Sequence, residues 1–133
     1  MNLPGLFIIC NDARKIPNLK IGENLRNFKF DRVLCDVPCS GDGTLRKNIA
    51  LWKMFHPHIG HGLHTLQLEI LMKSLSMVRQ HGRVVYSTCS FNPLENEAVV
   101  QAALTKLKGK VKLVDVKKEL SPFLKYRPGM LKW

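Results

Sequence analysis

Asp36-Val37-Pro38-Cys39-Ser40-Gly41-Asp42-Gly43-Thr44 is the stretch on which the reading of this chain turns, together with Ser87-Thr88-Cys89-Ser90 fifty residues further on. Each follows an apolar, β-branched or aromatic run, Phe30 to Val37 and Arg83 to Ser87, and each leads into turn-forming residues. Each therefore reads as a strand that ends in a loop. In open α/β sheets ligands bind outside the carboxyl ends of the strands, so two neighbouring parallel strands would bring Cys39 and Cys89 into one crevice.

The elements around these two strands set the fold class. Leu6 to Cys10 is a short apolar run that reads as a strand ending at Asn11-Asp12. Lys15 to Phe28, interrupted by Pro and Asn, reads as a loop, and Phe30 to Val37 as a strand buried on both faces. After Thr44 a basic and aromatic connection runs to about Pro57. From Gly62 to Gln80 the steps of three and four between Leu68, Leu71, Met72, Leu75 and Val78 predict an amphipathic helix, with His81-Gly82 as its stop. Asn92-Pro93-Leu94-Glu95 has the form of a capped helix start, with a helix to about Lys106, and Val111 to Val116 alternates like a strand. The order strand, helix, strand, helix, strand gives an α/β domain with a largely parallel sheet. The only glycine-rich stretch, Gly41-Asp42-Gly43, is a weak match to a nucleotide-binding loop.

Length and charge narrow the function classes. At 133 residues the chain has room for one domain with a real core. No apolar run approaches the roughly 20 residues needed to cross a bilayer, and the N-terminus lacks the order of a secretory signal, so an intracellular protein is expected. Four cysteines without regular spacing argue for reduced thiols rather than a disulfide framework. The net charge of +11 points to a polyanionic partner, and the excess is concentrated after Gln101, where nine Lys or Arg face only Asp115 and Glu119.

Several side chains could carry chemistry. Cys39 lies between a proline and a turn rich in exposed N–H groups, and Cys89 just before the expected helix at Asn92; both settings favour a thiolate. Either could equally be a bystander or buried cysteine, which is the role expected of Cys10 and Cys35. Asp36 should reach the crevice of Cys39, where it could accept a hydrogen bond from a ligand or hold a proton for it, or else serve as a turn cap. His56, His58, His61 and His64 lack Cys or carboxylate partners at ligand spacing, so no metal is expected.

These residues resemble a known family. Asp36 to Thr44 and Ser87 to Ser90, with Asn92-Pro93, Glu95 and Glu97 behind them, are similar to the two cysteine motifs of the Sun-family RNA cytosine-5 methyltransferases. Arg46-Lys47-Asn48, Trp52-Lys53, and Pro128-Gly129 with Trp133 look closest to the eukaryotic tRNA-modifying branch, and the resemblance runs from Asn11-Asp12 to Trp133. It implies a Rossmann-like, S-adenosylmethionine-dependent enzyme acting on tRNA or other structured RNA. The nucleophile matches Cys89, which would add to C6 of cytosine. Cys39 matches the residue that helps release the enzyme afterwards. Asp36 matches a contact to the cytosine ring near N3 and N4, at the cofactor crevice, and Asp12 a residue along the cofactor's adenine side. Set against the family, residues 1–133 correspond to the C-terminal half of the catalytic domain, with the last ~25 residues leading into a following segment and the first strands and glycine-rich cofactor loop absent. The alternatives are a truncated, non-catalytic RNA-binding remnant and a cysteine hydrolase that pairs Cys89 with a histidine. Nucleus or nucleolus is the expected compartment, ahead of the cytoplasm.

Overall fold

A computed structural model describes residues 5–56, 58–120 and 122–132. Pro57, expected to close the connection after Thr44, and Trp133, which carries part of the resemblance, lie outside the described residues. The ordered centre is a parallel pair of strands, β3 (Phe30–Asp36) and β4 (Val78–Ser87), preceded by a two-residue antiparallel ladder of β1 (Lys20–Ile21) and β2 (Arg26–Asn27). That ladder replaces part of the loop expected over Lys15 to Phe28. A single turn, α1 (Leu51–Met54), and the long helix α2 (Ile59–Met77) connect β3 to β4, and α3 (Glu97–Lys106) follows. The chain is thus α/β with a small parallel sheet.

The register of the pair matters most for function. Cys35 lies opposite Tyr86 and Asp36 opposite Ser87, so the two strands end side by side and the loops bearing Cys39 and Cys89 leave the same edge. The expectation of a shared crevice is met.

β3 is buried on one face, not two. Cys35 and Val37 pack with Leu68, Ile70 and Leu71 of α2 and with Val99 and Ala103 of α3, whereas Leu34 and Val85 remain 71% and 57% exposed on the sheet. Alternate residues of a strand point to opposite faces, and among the described residues the helices cover only one of them. The stripe on α2 is the expected one for Leu68, Leu71, Met72 and Leu75, but Val78 belongs to β4.

Two expected strands do not form. Leu6 to Cys10 has no ladder partner among the described residues and leaves Phe7 and Ile8 more than four-fifths exposed; Cys10 is likewise exposed rather than a core cysteine. Val111 to Val116 is also without a ladder. A strand needs a neighbour to take its N–H and C=O groups, and periodicity does not supply one.

The expected helix stop at His81-Gly82 lies inside β4 instead: α2 ends at Met77, Val78 carries the chain straight into extended backbone, and the left-handed residue, His81 at φ 63°, belongs to the strand. Gly82 is required for space: a Cβ there would lie 2.5 Å from Val78 Cγ2 and 2.9 Å from the Asp31 carbonyl oxygen.

Candidate active site

Past the ends of β3 and β4 the two cysteine loops are stapled to each other. Gly43 N donates to Cys89 O at 2.9 Å, and Phe91 N donates to Asp42 Oδ1 at 2.8 Å. Gly43 is where the loops come closest, since a Cβ on it would lie 2.6 Å from the Cys89 carbonyl oxygen. The outcome is that Cys39 Sγ and Cys89 Sγ sit 3.1 Å apart as free thiols, and Cys89 N also donates to Cys39 Sγ at 3.3 Å. Cys89 is exposed and Cys39 half-buried, so the outer sulfur is the one open to a substrate.

Electrostatics around Cys89 run against the helix-terminus argument. α3 begins only at Glu97, and the Cys89 thiol is pushed up from its ordinary value, first by its hydrogen bond to Cys39 and then by desolvation. Charging one of two touching sulfurs is disfavoured while the other supplies no positive charge. Cys35, buried in the strand, is pushed up chiefly by desolvation and stays a core residue.

Asp36 is exposed at the end of β3 and accepts a hydrogen bond from Ser87 Oγ at 2.7 Å. Its place at the crevice suits a residue that meets a polar ring. Asp12 sits elsewhere, as the cap of the short 3-10 turn Ala13–Lys15, its carboxylate bound by Arg14 Nε and Nη2. Those hydrogen bonds hold the Asp12 carboxyl down at about 2, and Arg14 in turn reaches Glu69 on α2. A cofactor fits this edge only in part: Asp36 is presented to it, whereas a ligand for Asp12 would have to compete with Arg14.

Sequence reading missed the groups that hold the site. Glu95 does not reach back to cap Asn92 in a capping box. It is wholly buried, and its carboxylate accepts Ser40 N at 2.9 Å and Ser40 Oγ at 2.7 Å. Ser40 Oγ is 3.2 Å from Ser90 Oγ, which accepts from Asn92 N. Asn92 does cap, but it caps the turn of residues 93–96, through Leu94 N, and not α3 itself. Gln67 on α2, also fully buried, donates from Nε2 to Pro38 O at 3.0 Å, and Tyr86 Oη donates to Glu95 O at 2.6 Å. The signal in the sequence is the repeated Cys-Ser step, Cys39-Ser40 and Cys89-Ser90.

The histidines do not join the thiols. His64 Nδ1 is 2.8 Å from Leu94 O, and among the described residues no three His, Cys, Asp or Glu side chains gather as a metal site. None of these residues supplies a histidine partner for Cys89, so the hydrolase reading has no support in the geometry.

Comparison with known proteins gives the family. Residues 1–128 match the family model described as 16S rRNA methyltransferase RsmB/F. The chain belongs to the RsmB/F methyltransferase family. It is 47% identical, over its whole length, to a multisite-specific tRNA:(cytosine-C(5))-methyltransferase of Schizosaccharomyces pombe, and 45% identical, again over its whole length, to one of Saccharomyces cerevisiae. A tRNA (cytosine(34)-C(5))-methyltransferase of Drosophila melanogaster is likewise 45% identical across the full chain. The chain covers 21%, 20% and 18% of these RsmB/F relatives, about a fifth of their length.

Proposed function

We propose that this chain carries the cysteine chemistry of a tRNA cytosine-5 methyltransferase, within a Rossmann-like domain that uses S-adenosylmethionine. The observation that carries the reading is the 3.1 Å apposition of Cys39 and Cys89 at the carboxyl edge of the parallel pair. The full-length similarity to tRNA cytosine-C5 methyltransferases supports the substrate class.

Cytosine C5 is a weak nucleophile, and covalent addition at C6 divides one hard step into easier ones. Cys89, the exposed thiol, is the nucleophile. Its proton passes to the Asp36 carboxylate, directly or through water, as entry of the base displaces the Cys39 contact that holds the thiol up. As sulfur bonds to C6, the electron pair moves to N3, and Asp36 delivers the proton to N3 and accepts a hydrogen bond from the N4 amino group. S-adenosylmethionine, when bound, supplies the electrophilic methyl group for C5. Cys39, having lost its own proton to solvent, then takes the C5 proton as a thiolate; the C5–C6 double bond re-forms, expels the Cys89 thiolate, and the N3 proton returns through Asp36. The target base must leave any stem to reach the crevice, and the excess of Lys and Arg serves to hold phosphates without reading sequence. Nucleus or nucleolus is the compartment of this activity, in keeping with a strongly basic, RNA-directed chain.

The test is transfer of labelled methyl from S-adenosylmethionine to unmodified tRNA, with nucleosides separated afterwards. Label in 5-methylcytidine that Cys89→Ala abolishes supports the proposal; label in another nucleoside, or full activity of Cys89→Ala, overturns it.

A further inference from the structure

The least expected feature of the site is a hydrogen-bonded chain beneath the sulfurs. It runs from Glu95 to Ser40 Oγ to Ser90 Oγ, that is, through the residues that directly follow Cys39 and Cys89. Since Ser40 Oγ donates to the Glu95 carboxylate at 2.7 Å, its remaining capacity is as acceptor, which Ser90 Oγ–H fills at 3.2 Å. Glu95 also takes the Ser40 N–H at 2.9 Å, so both of its oxygens are spent on one residue. Among the described residues no Lys or Arg pairs with this fully buried carboxylate. A buried carboxylate without a cation is costly, and it is kept only where several donors converge on it.

From the other side Gln67 Nε2 holds the Pro38 carbonyl at 3.0 Å, so the peptides before and after Cys39 are both fixed by buried polar side chains. Glu95 itself is fixed through its own carbonyl by Tyr86 Oη at 2.6 Å, which ties it to β4. The hydrogen bonds at the two sulfurs are to each other and from Cys89 N, not from these side chains.

We infer that Glu95 is a positioning residue that acts through Ser40 and Ser90 to keep the half-buried Cys39 against Cys89, and that this registration serves enzyme release rather than attack. The inference rests on the two-cysteine reading above. Attack draws on an exposed Cys89 and on Asp36, neither of which is a member of this chain of hydrogen bonds. Release needs Cys39 at the C5 proton of a base already bonded to Cys89, so it needs the two sulfurs at a fixed mutual distance. Loosening the chain therefore slows the second step selectively.

The experiment uses the full chain with Glu95→Gln and Ser40→Ala; the serine variant removes one hydroxyl and keeps the Ser40 N–H bond to Glu95, so it tests the idea should the buried Glu95→Gln chain fail to fold. Covalent adduct formation is timed with tRNA carrying 5-fluorocytosine, and adduct decay with unmodified tRNA and S-adenosylmethionine. In parallel, without RNA, dibromobimane reports whether Cys39 and Cys89 can be bridged. The expected result is adduct formation close to the unaltered rate, decay slowed roughly ten-fold, the factor that corresponds to one lost hydrogen bond of about 1.4 kcal/mol, and a lower bridging yield. Formation and decay falling in the same proportion, or bridging unchanged in both variants, overturns the positioning role. An unaltered chain that forms no adduct at all overturns the two-cysteine reading and the release role with it, while the bridging arm still reports separately on the clamp.

Discussion

Replacing Gly43 by alanine tests the closeness of the two cysteine loops without touching a sulfur. An added Cβ would lie 2.6 Å from the Cys89 carbonyl oxygen and 3.3 Å from its carbon, and backbone atoms cannot rotate away as a side-chain tip can. The Gly43 N–H bond to that same oxygen, at 2.9 Å, stretches as the loops part. Overpacking costs roughly 1–3 kcal/mol and the lost hydrogen bond about 1, so Gly43→Ala should destabilise by about 2 to 4 kcal/mol. For a domain of this size that is a fall in melting temperature on the order of 10 °C. The control is Gly62→Ala on α2, where a Cβ would meet nothing within 4 Å. There alanine should stabilise by roughly 0.5–1 kcal/mol through helix propensity. The assay is urea and thermal unfolding of both variants, with iodoacetamide labelling of Cys89 to report the displaced loop. A neutral Gly43→Ala, or a destabilising Gly62→Ala, refutes the reasoning.

Other outcomes follow from the same geometry. Leu71→Ala, in the core between α2 and the sheet, should cost roughly 2–5 kcal/mol in urea unfolding. Tyr86→Phe removes the bond to the Glu95 carbonyl and should cost about 1 kcal/mol, measured the same way. Cys39→Ala takes away the contact that most raises the Cys89 thiol, so alkylation of Cys89 by iodoacetamide should speed up near neutral pH and its pH profile move to lower pH. Asp12 is held at about 2 in the folded chain against 3.8 unfolded, so its contribution is present above about 3.8 and is lost as pH falls towards about 2; Asp12→Asn should flatten that part of the acid unfolding curve.

How far the sequence could be read depends on whether an element carries its own partner. The strands at Phe30 and Arg83 and the shared edge of Cys39 and Cys89 were legible because an apolar run followed by a turn signal is local information, and the strands found each other. Leu6 to Cys10 and Val111 to Val116 have equally suggestive patterns, yet each needs a neighbouring ladder that the pattern does not contain. The helix start at Asn92 was half legible. Asn92 does cap, but Glu95 at the capping-box position is claimed by Ser40, fifty-five positions away in the chain. Long-range hydrogen bonds of that kind, and the bond of Gln67 to Pro38, leave no periodic trace and are visible only once the loops are folded together. The pairing that raises the Cys89 thiol is of the same sort, which is why a helix-terminus argument on sequence alone gave it the opposite sign.

The central claim is that Cys89 attacks and Cys39 releases. It is tested most directly by a denaturing gel of the chain with tRNA carrying 5-fluorocytosine and S-adenosylmethionine, comparing the unaltered protein with Cys89→Ala and Cys39→Ala. Fluorine does not leave C5 as a proton does, so the nucleophile stays attached. The account predicts a covalent band for the unaltered protein and for Cys39→Ala, and none for Cys89→Ala; a band that survives Cys89→Ala but disappears with Cys39→Ala would contradict it.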